Sequence, residues 1–312
     1  MSLSRADVWA VIVNWNGGAR NLACVQSLLD AGLGHAQIIF VDNGSSDGSL
    51  ELVRGEHPGL SFVENDRNLG FAAASAAGSD IALEAGAGAV FFVNNDVLLL
   101  DDCLDRLVDA LSEEPRVGIV GPRVLFQRER SKVWCAGGRV AWRGNILTLI
   151  AHGEDDAPEW ELEREVDFVA GCALLARREL LEQVGCFAPE WFAYFEDADL
   201  GVRAGREGWS SRVIGSAACL HDASASTGGG YSPRRKYMMG VNSVWFLRAY
   251  GTPSRWLNFF LFDGFTFPFA LLLGLFSGDA KGVLAKALGI LEGLSGRRVT
   301  AERIEPGSGP LW

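Results

Sequence analysis

The chain has 312 residues, of which 48% are hydrophobic, and its formal net charge is −11. A chain of this length can form one large α/β domain or two smaller ones around a sizeable core. The acidic balance and the absence of a dominant basic stripe exclude nucleic acid as its main partner.

The six cysteines are scattered along the chain, and none form a C-x-x-C pair. Several stand inside apolar runs, as buried free thiols do. This usage indicates a reducing, cytosolic compartment. Asp7 interrupts the first residues and a strand pattern follows at once, so we expect no signal peptide.

Residues 8–97 alternate between strand and helix patterns. Apolar runs of strand-forming residues occur at 8–13, 38–41, 60–63 and 89–93, and helical patterns separate them. This alternation predicts a mostly parallel sheet with helices on both faces, with the polar strand-end loops gathered along one edge. The chain has neither a G-x-G-x-x-G after its first strand nor a P-loop, so an ordinary dinucleotide-binding fold is not expected.

The fourth of these runs ends abruptly in Asn94, Asn95 and Asp96. A buried parallel strand that releases polar groups at its carboxyl end is where open α/β sheets bind ligands. A carboxylate there can hold a hard cation that also binds phosphate oxygens and water. The alternative is a turn in which the amides and the carboxylate only cap the local backbone. The motif by itself leaves both interpretations open.

The second half of the sequence is less regular. We expect strand pieces at 117–126, a single strand over 166–175 and a short helix over 178–184. Residues 128–165 lack a clear period, and the pattern indicates loops with a short hairpin near 133–150. Long loops of this kind often serve as lids over an acceptor site.

An aromatic run at 191–195 leads directly into Glu196, Asp197 and Asp199, which begin a helical pattern. Clustered carboxylates repel one another, which raises the pKa of at least one of them and suits a general base. The alternative is that these acids only complement the helix dipole. A lone histidine, His221, follows another strand pattern; from the residues alone it is structural or a ligand. The basic residues 234–236 either contact a diphosphate or form a solvated face.

The tail differs from the rest of the chain. Residues 256–276 are nearly all apolar, interrupted by Asp263 and Pro268, so a membrane crossing is not expected. The pattern at 281–294 separates leucines from lysines, which is typical of a helix lying on a membrane surface. Burial against the catalytic domain or in a dimer interface is the alternative. The predicted domains are therefore 1–250, catalytic, and 251–312, a helical tail for membrane attachment or dimerisation.

Four motifs in order carry a family resemblance: VIVNWNG at 11–17, VDNGSSDG at 41–48, NLGF at 68–71 and NND at 94–96. Together they resemble the family-2 glycosyltransferases with the GT-A fold, and most closely the rhamnosyltransferase-like subgroup. The match covers roughly residues 8–250. The resemblance implies a Rossmann-like α/β fold with a mostly parallel mixed sheet, followed here by the apolar helical tail.

The resemblance also implies roles for individual residues. The implied donor-binding residues are Val13, Asn14, Trp15, Asp42, Asn68, Gly70, Asn94 and Asn95. Within that set, Asp42 would accept a hydrogen bond from a pyrimidine base. Asp96 and His221 would bind Mg²⁺ or Mn²⁺, and Asp96 is the only carboxylate in a motif that more often reads Asp-x-Asp. Asp197 would be the catalytic base and Glu196 its acceptor-contacting partner.

The function implied is an inverting glycosyltransferase that moves a sugar, rhamnose from dTDP-rhamnose, from a nucleotide-sugar donor to a glycan or lipid-linked glycan. One alternative is a non-catalytic nucleotide-sugar or glycan-binding subunit of the same fold. Another is a sugar-1-phosphate nucleotidyltransferase, which usually carries a basic first loop. We expect a cytoplasmic protein at the inner face of the membrane or in a homodimer.

Overall fold

A computed structural model describes residues 3–142, 146–222, 232–305, 307–309 and 311–312. The strands in this part of the chain are β1 Val8–Asn14, β2 Ile38–Asp42, β3 Ser61–Glu64, β4 Ala89–Asn94, β5 Val97–Leu99, β6 Val117–Phe126, β7 Val133–Cys135, β8 Gly138–Val140, β9 Leu147–Leu149, β10 Arg164–Val166, β11 Ala173–Arg177 and β12 Ser210–His221. The helices are α1 Arg20–Asp30, α2 Ser49–Glu56, α3 Phe71–Glu84, α4 Cys103–Glu113, α5 Arg178–Val184, α6 Glu196–Arg206, α7 Pro233–Tyr250, α8 Pro253–Phe259, α9 Phe267–Ser277, α10 Ala280–Leu294 and α11 Ala301–Ile304.

A ten-stranded mixed sheet forms the centre of the molecule, in the order β10-β12-β6-β11-β4-β1-β2-β3, with β5 beside β12 and β7 beside β6. Strand β1 lies between β2 and β4 and is parallel to both. Its residue Val13 pairs with Val41 on one side and with Asn94 on the other. The polar residues that follow these strands therefore meet at one edge, as the sequence pattern predicted.

Helices cover both faces of the sheet. Val25 of α1, Val53 of α2 and Leu107 of α4 are fully buried in the core on one face. Ala72 of α3 and Leu200 of α6 are fully buried in the core on the other face. Strands with apolar side chains on both faces need this double cover, because either uncovered face would expose them to water. The prediction of an α/β sheet flanked by helices is confirmed.

The prediction of a single strand over 166–175 is wrong. Strand β10 ends at Val166 and pairs with β12 at the edge of the sheet. Strand β11 begins at Ala173 and lies between β4 and β6, antiparallel to both. Residues 167–172 cross from the edge to the centre, and they include Asp167 and Gly171, which strands disfavour. A hairpin, β8 with β9, does form within the predicted irregular segment.

The tail is a helical hairpin. Helices α8 and α9, with a π-helical turn Phe260–Gly264 between them, form one run of 25 residues from Pro253 to Ser277 that is long and apolar enough to cross a membrane. The π-helical turn contains Asp263 and a bend at Thr266 precedes Pro268, so the run is irregular at both predicted interruptions but continues through them. Asp263 forms an ion pair with Lys286 of α10. Pro268 lies at the start of α9, where its missing N–H is tolerated.

Helix α10 packs closely on α7 through glycines. A Cβ at Gly289 would lie 2.2 Å from the carbonyl oxygen of Tyr237, so only glycine fits there. This places Leu284 and Leu291 of α10 on the outside, 38% and 65% exposed. Two basic residues of this region have partners within the protein: Lys286 forms the ion pair with Asp263, and the guanidinium of Arg298 lies 3.6 Å over the ring of Trp245.

Candidate active site

A cleft of about 310 Å³ opens at the carboxyl edge of β1 and β4, bounded by the start of α6. The predicted site residues that line it are Val13, Trp15, Asn68, Asn94, Asn95, Asp96, Glu196, Asp197 and His221. The elements that carry them come from both halves of the sheet. The cleft thus brings together one group of residues from the strand ends and another from the aromatic run before α6.

Asn14 organises the first group from below. This fully buried residue donates from Nδ2 to Asp42 Oδ1 at 2.7 Å and to Ser49 Oγ at 2.8 Å. Its Oδ1 accepts from Asn21 Nδ2 at 2.9 Å and from the more distant Asn95 Nδ2 at 3.3 Å. An amide with both ends bonded can fix several loops at once, because it both donates and accepts. Asn14 therefore ties the loop after β1 to the loops after β2 and β4.

Asp42 lies beside this hub. It is 3% exposed, and its Oδ2 accepts from the backbone N–H of Ser45 at 2.9 Å. Asp42, Asn14 and Gly70 lie behind the residues that line the cleft. The structure therefore shows these three supporting the predicted donor side from beneath its surface.

The loop before α3 is held by a second amide, Asn43, which the sequence motif contained but the prediction did not single out. Asn43 Nδ2 donates to Asn68 Oδ1 at 3.0 Å, and its Oδ1 accepts from the N–H of Leu69 at 3.0 Å. Gly70 follows with φ +89°, a conformation that favours glycine. This arrangement presents Asn68 to the cleft.

Asp96 and His221 meet because their strands pair. His221 is the last residue of β12 and pairs with Val97 of β5, directly after Asp96. Asp96 Oδ1 and His221 Nε2 are 3.2 Å apart, and both side chains are buried. Trp134 stands edge-on to the imidazole, with the ring centroids 4.5 Å apart. The contact between Trp134 and His221 could not be predicted from local pattern, because β7 joins the sheet through its pairing with β6.

The Asp96–His221 pair has spare ligand capacity. Among the residues that the structure describes, neither Asp96 Oδ1 nor His221 Nδ1 has a hydrogen-bond partner. Buried polar atoms are normally satisfied, so such atoms at a cleft indicate a missing partner. One carboxylate and one imidazole suit a divalent cation that takes its other ligands from a phosphate or water. No third His, Cys, Asp or Glu joins them within the described part of the chain.

Glu196 and Asp197 begin α6 on the opposite wall of the cleft. Burial, and next to it the charge of Asp197, raises the pKa of Glu196 well above its usual value. Burial also raises the pKa of Asp197, against the effect of the Gly171 and Ala198 N–H groups, which donate to its two oxygens at 3.0 Å and 2.8 Å. These two bonds favour the ionised form of Asp197. The pair thus divides into a carboxyl that tends to keep its proton and a carboxylate oriented by backbone donors.

The third acid has a structural position. Asp199 accepts from Arg203 Nε at 2.8 Å and from the hydroxyl of Tyr250 on α7. Its side chain is buried away from the cleft lining. Asp199 therefore braces α6 against α7.

Other lining residues lie on α7. Arg235, Met238 and Met239 border the cleft, and the guanidinium of Arg235 lies 5.5 Å from the ring centroid of Tyr194. The sequence left residues 234–236 open between a ligand contact and a solvated face. The structure places Arg235 at the cleft, and a ligand contact there stays a prediction.

Comparisons with known proteins agree with this geometry. Residues 9–185 match the model of the family described as Glycosyl transferase family 2. The chain is 33% identical over 211 residues to the N-acetylglucosaminyl-diphospho-decaprenol L-rhamnosyltransferase of Mycobacterium tuberculosis, covering 61% of this chain and 68% of the relative. It is 28% identical over 166 residues to an O-antigen biosynthesis protein of Myxococcus xanthus, covering 51% of this chain and 13% of that protein.

Two solved structures are similar in fold. The mannosyltransferase PcManGT from Pyrobaculum calidifontis, in complex with GDP-Man and Mn²⁺, superposes with a TM-score of 0.57 at 15% identity, covering 93% of this chain and 88% of that one. GalNAc-T7 with UDP, GalNAc and Mn²⁺ superposes with a TM-score of 0.56 at 15% identity, covering 69% of this chain and 42% of that one. The family match spans more than half of the chain, and the fold and the strand-end cleft accord with it: this protein is a member of glycosyl transferase family 2.

Proposed function

We propose that this protein transfers a rhamnosyl group from a nucleotide-activated donor, dTDP-rhamnose, to the N-acetylglucosamine of a lipid-linked diphosphate, with inversion at the anomeric carbon. The observation that carries the proposal is one cleft with the unsatisfied Asp96–His221 pair on one wall and the Glu196–Asp197 pair on the other. The rhamnosyl and lipid-linked parts rest on the relative from Mycobacterium tuberculosis.

Asp96 and His221 would hold a divalent cation, Mg²⁺ or Mn²⁺. The buried atoms without hydrogen-bond partners fit such an ion, and both similar structures were obtained with Mn²⁺. When bound, the ion would act as a Lewis acid that stabilises charge on the departing diphosphate. The single carboxylate at this position predicts that the ion binds weakly without the nucleotide, because the diphosphate supplies the other negative ligands.

Asp197 would be the general base. Its carboxylate removes the proton from the acceptor hydroxyl as that oxygen forms a bond to the anomeric carbon. The bond from that carbon to the diphosphate oxygen breaks in the same displacement, so no protein nucleophile is needed. The two backbone N–H donors support this role, because they fix the orientation of the carboxylate. Glu196, whose pKa is raised first by burial, would donate to an acceptor oxygen in its protonated form.

The donor would lie over the strand ends. Val13, Trp15, Asn68, Asn94 and Asn95 would contact it directly, since they line the cleft. Asn14, Asp42 and Gly70 would shape that surface from behind. For Asp42 to bind a pyrimidine base, its bond to Asn14 would have to be exchanged for one to the base.

We also propose that the domain division lies near residue 250 and that the tail attaches the enzyme to the inner face of a membrane. The outer face of the 25-residue run is apolar; Phe265, Leu273 and Phe276 on it are 73%, 69% and 85% exposed. Exposed apolar surface of this size marks a membrane or protein contact. A lipid-linked acceptor makes the membrane the partner that fits, and a homodimer interface is the competing outcome.

A transfer assay tests the proposed function. Purified full-length protein is incubated with dTDP-rhamnose, UDP-glucose or GDP-mannose and a short-chain lipid-diphosphate-N-acetylglucosamine, with Mg²⁺, Mn²⁺ or excess chelator. We expect rhamnosyl transfer that needs the lipid-linked acceptor and stops in chelator. Transfer from another donor alone would refute the rhamnosyl assignment. Full activity in chelator would refute the metal role of Asp96 and His221.

A further inference from the structure

Residues 191–195, which we call the aromatic turn, have an unusual backbone. The φ angle is +60° at Phe192, +69° at Tyr194 and +75° at Phe195. Residues with large side chains rarely adopt positive φ, and they keep it only where the surroundings hold them there. Glu196 follows directly, so any relaxation of the turn would move the acidic pair at the start of α6.

Asn242 of α7 supplies the restraint on one side. Its Nδ2 lies within hydrogen-bond distance of three carbonyl oxygens of the turn, those of Trp191 at 2.9 Å, Ala193 at 3.0 Å and Tyr194 at 2.8 Å. The two amide hydrogens are therefore shared among three acceptors. Trp191 O also accepts from the N–H of Ala193 at 2.7 Å, whereas for Ala193 O and Tyr194 O the Asn242 side chain takes the place of a backbone partner.

The orientation of the Asn242 amide follows from the same contacts. A reversed amide would aim Oδ1 at three carbonyl oxygens, which is repulsive, so Nδ2 must face the turn. Asn242 is fully buried, and its Oδ1 has no hydrogen-bond partner among the described residues. A residue kept only to satisfy the core would not leave a buried oxygen unpaired. The N–H groups of the Asn242 amide therefore bond to the turn, and its carbonyl oxygen does not take part.

The fourth carbonyl of the turn is held from the opposite side. Phe192 O accepts from the N–H of Ala72 at 3.1 Å. Gly70 lies so close that a Cβ there would come within 2.6 Å of the same oxygen. The turn is thus clamped between the loop that presents Asn68 and the buried amide of α7.

We propose that Asn242 is a positioning residue for the transfer reaction: it holds the aromatic turn in its positive-φ conformation and thereby fixes Asp197 and Glu196 toward the acceptor. This role rests on the proposed function of Asp197. Asn242 lies outside the cleft lining, so it acts through the turn and touches no substrate. A misplacement of about 1 Å in a catalytic group can reduce a rate about 100-fold.

The test compares Asn242→Ala and Asn242→Ser with the wild type and with Ser243→Ala. Ser243 is the matched control, because it neighbours Asn242 on α7 and its hydroxyl, among the residues the structure describes, donates within the helix to Met239 O at 2.6 Å. We measure kcat and KM for both substrates, the affinity for dTDP, and hydrogen–deuterium exchange of the peptide spanning 191–199.

For Asn242→Ala we expect faster exchange in that peptide and a kcat lowered about 10- to 100-fold. The dTDP affinity and the donor KM should stay near wild type, because the donor contacts lie on other loops. Asn242→Ser keeps one hydrogen-bond donor, so its exchange rate and its kcat should lie between those of the wild type and of Asn242→Ala. The serine variant also provides the test if the alanine variant does not fold. Ser243→Ala should match the wild type in every measurement.

Wild-type exchange at 191–199 in either folded Asn242 variant would overturn the proposal. So would faster exchange with unchanged kcat, or a loss that appears equally in dTDP affinity. If the wild-type protein shows no transfer at all, the proposed function fails, yet the exchange experiment still shows whether Asn242 holds the turn. The two failures are therefore distinguishable.

Discussion

The two walls of the cleft are built on opposite principles. The donor wall, the loops after β1, β2 and β4, is a network of amide side chains in which Asn14 bonds to several partners at 2.7–3.3 Å. The acceptor wall, the aromatic turn and the start of α6, combines positive φ angles, aromatic rings and two carboxyls with raised pKa values. The Asn14 network of the first wall is polar and hydrogen-bonded, whereas the second wall is restrained in its backbone and desolvated.

The difference separates binding from chemistry. A satisfied polar network is rigid and can present the same surface to a nucleotide in every turnover. A desolvated carboxyl is poised near the pH at which it must accept a proton. If this division holds, changes on the acceptor wall should lower kcat and leave donor affinity intact, and changes on the donor wall should do the reverse or weaken the fold.

The sharpest test of that division is Asp197→Asn. The change keeps the shape of the side chain and removes its basicity, so kcat should fall about 10²- to 10⁴-fold, the usual effect of losing a general base. Donor affinity, measured by calorimetry with dTDP, should stay at the wild-type value. Glu196→Gln is the companion variant. A larger loss of kcat in Glu196→Gln than in Asp197→Asn would make Glu196 the base and Asp197 its partner.

His221→Ala tests whether the Asp96–His221 pair belongs functionally to the donor wall. Loss of one of two protein ligands should weaken Mn²⁺ binding in the presence of dTDP by about 10- to 100-fold, as loss of a metal-site partner does. His152→Ala is the control, because His152 also packs near Trp134, with ring centroids 6.3 Å apart, but lies outside the cleft lining. Equal Mn²⁺ affinity in wild type and His221→Ala would exclude His221 as a ligand.

The pH dependence should belong to the acceptor wall alone. Burial raises the pKa of Asp197, and a base is active only when ionised. The rate should therefore fall as pH decreases through this raised pKa, by about tenfold for each pH unit below it. A profile of kcat/KM should show an acidic limb above the usual range of aspartate, and dTDP affinity measured without a divalent cation should stay flat over the same pH range. An acidic limb at the ordinary aspartate pKa would contradict the claim that burial raises the pKa of the base.

Asn14→Ala tests the donor wall as a structural network. The change removes the bond to buried Asp42 Oδ1, and an unsatisfied buried polar atom costs about 1–3 kcal/mol. Denaturant unfolding should show a loss of that size. Asn65→Ala removes one side-chain bond, to Asn43 at 3.1 Å, at a half-buried position and should cost under about 1 kcal/mol. Equal losses in both variants would mean that Asn14 is not a hub.

The smallest effect on catalysis is expected from the tail, which belongs to neither wall. Leu273→Ser with Phe276→Ser removes two exposed apolar side chains, each contributing about 1.5–3 kcal/mol if fully buried in lipid. Flotation with anionic liposomes should decrease, and transfer to a short-chain acceptor should stay unchanged. Leu162→Ser is the control, because Leu162 is 65% exposed and lies outside the tail. A detergent-free dimer that ignores liposomes would instead identify a protein interface.

Local patterns were enough to predict the first half of the fold. Strands β1 to β4 are apolar on both faces and end in polar turns, so periodicity gave their order and direction. The motifs also brought Asn94, Asn95 and Asp96 to the correct edge. The break between β10 and β11 was not predicted, although Asp167 and Gly171 within 166–175 are poor strand formers. The pairing of β11 with β4 and β6 decides where the break falls.

The sequence by itself determined the residue types at the cleft and the strand ends that carry them, since both follow from short-range pattern and motif. Only the tertiary structure decided that His221 reaches Asp96, through the pairing of β12 with β5. It also decided that Asn14 supports the donor wall from behind and that Asn242 holds the aromatic turn. These are contacts between side chains distant in sequence, and their geometry depends on packing that no local period encodes.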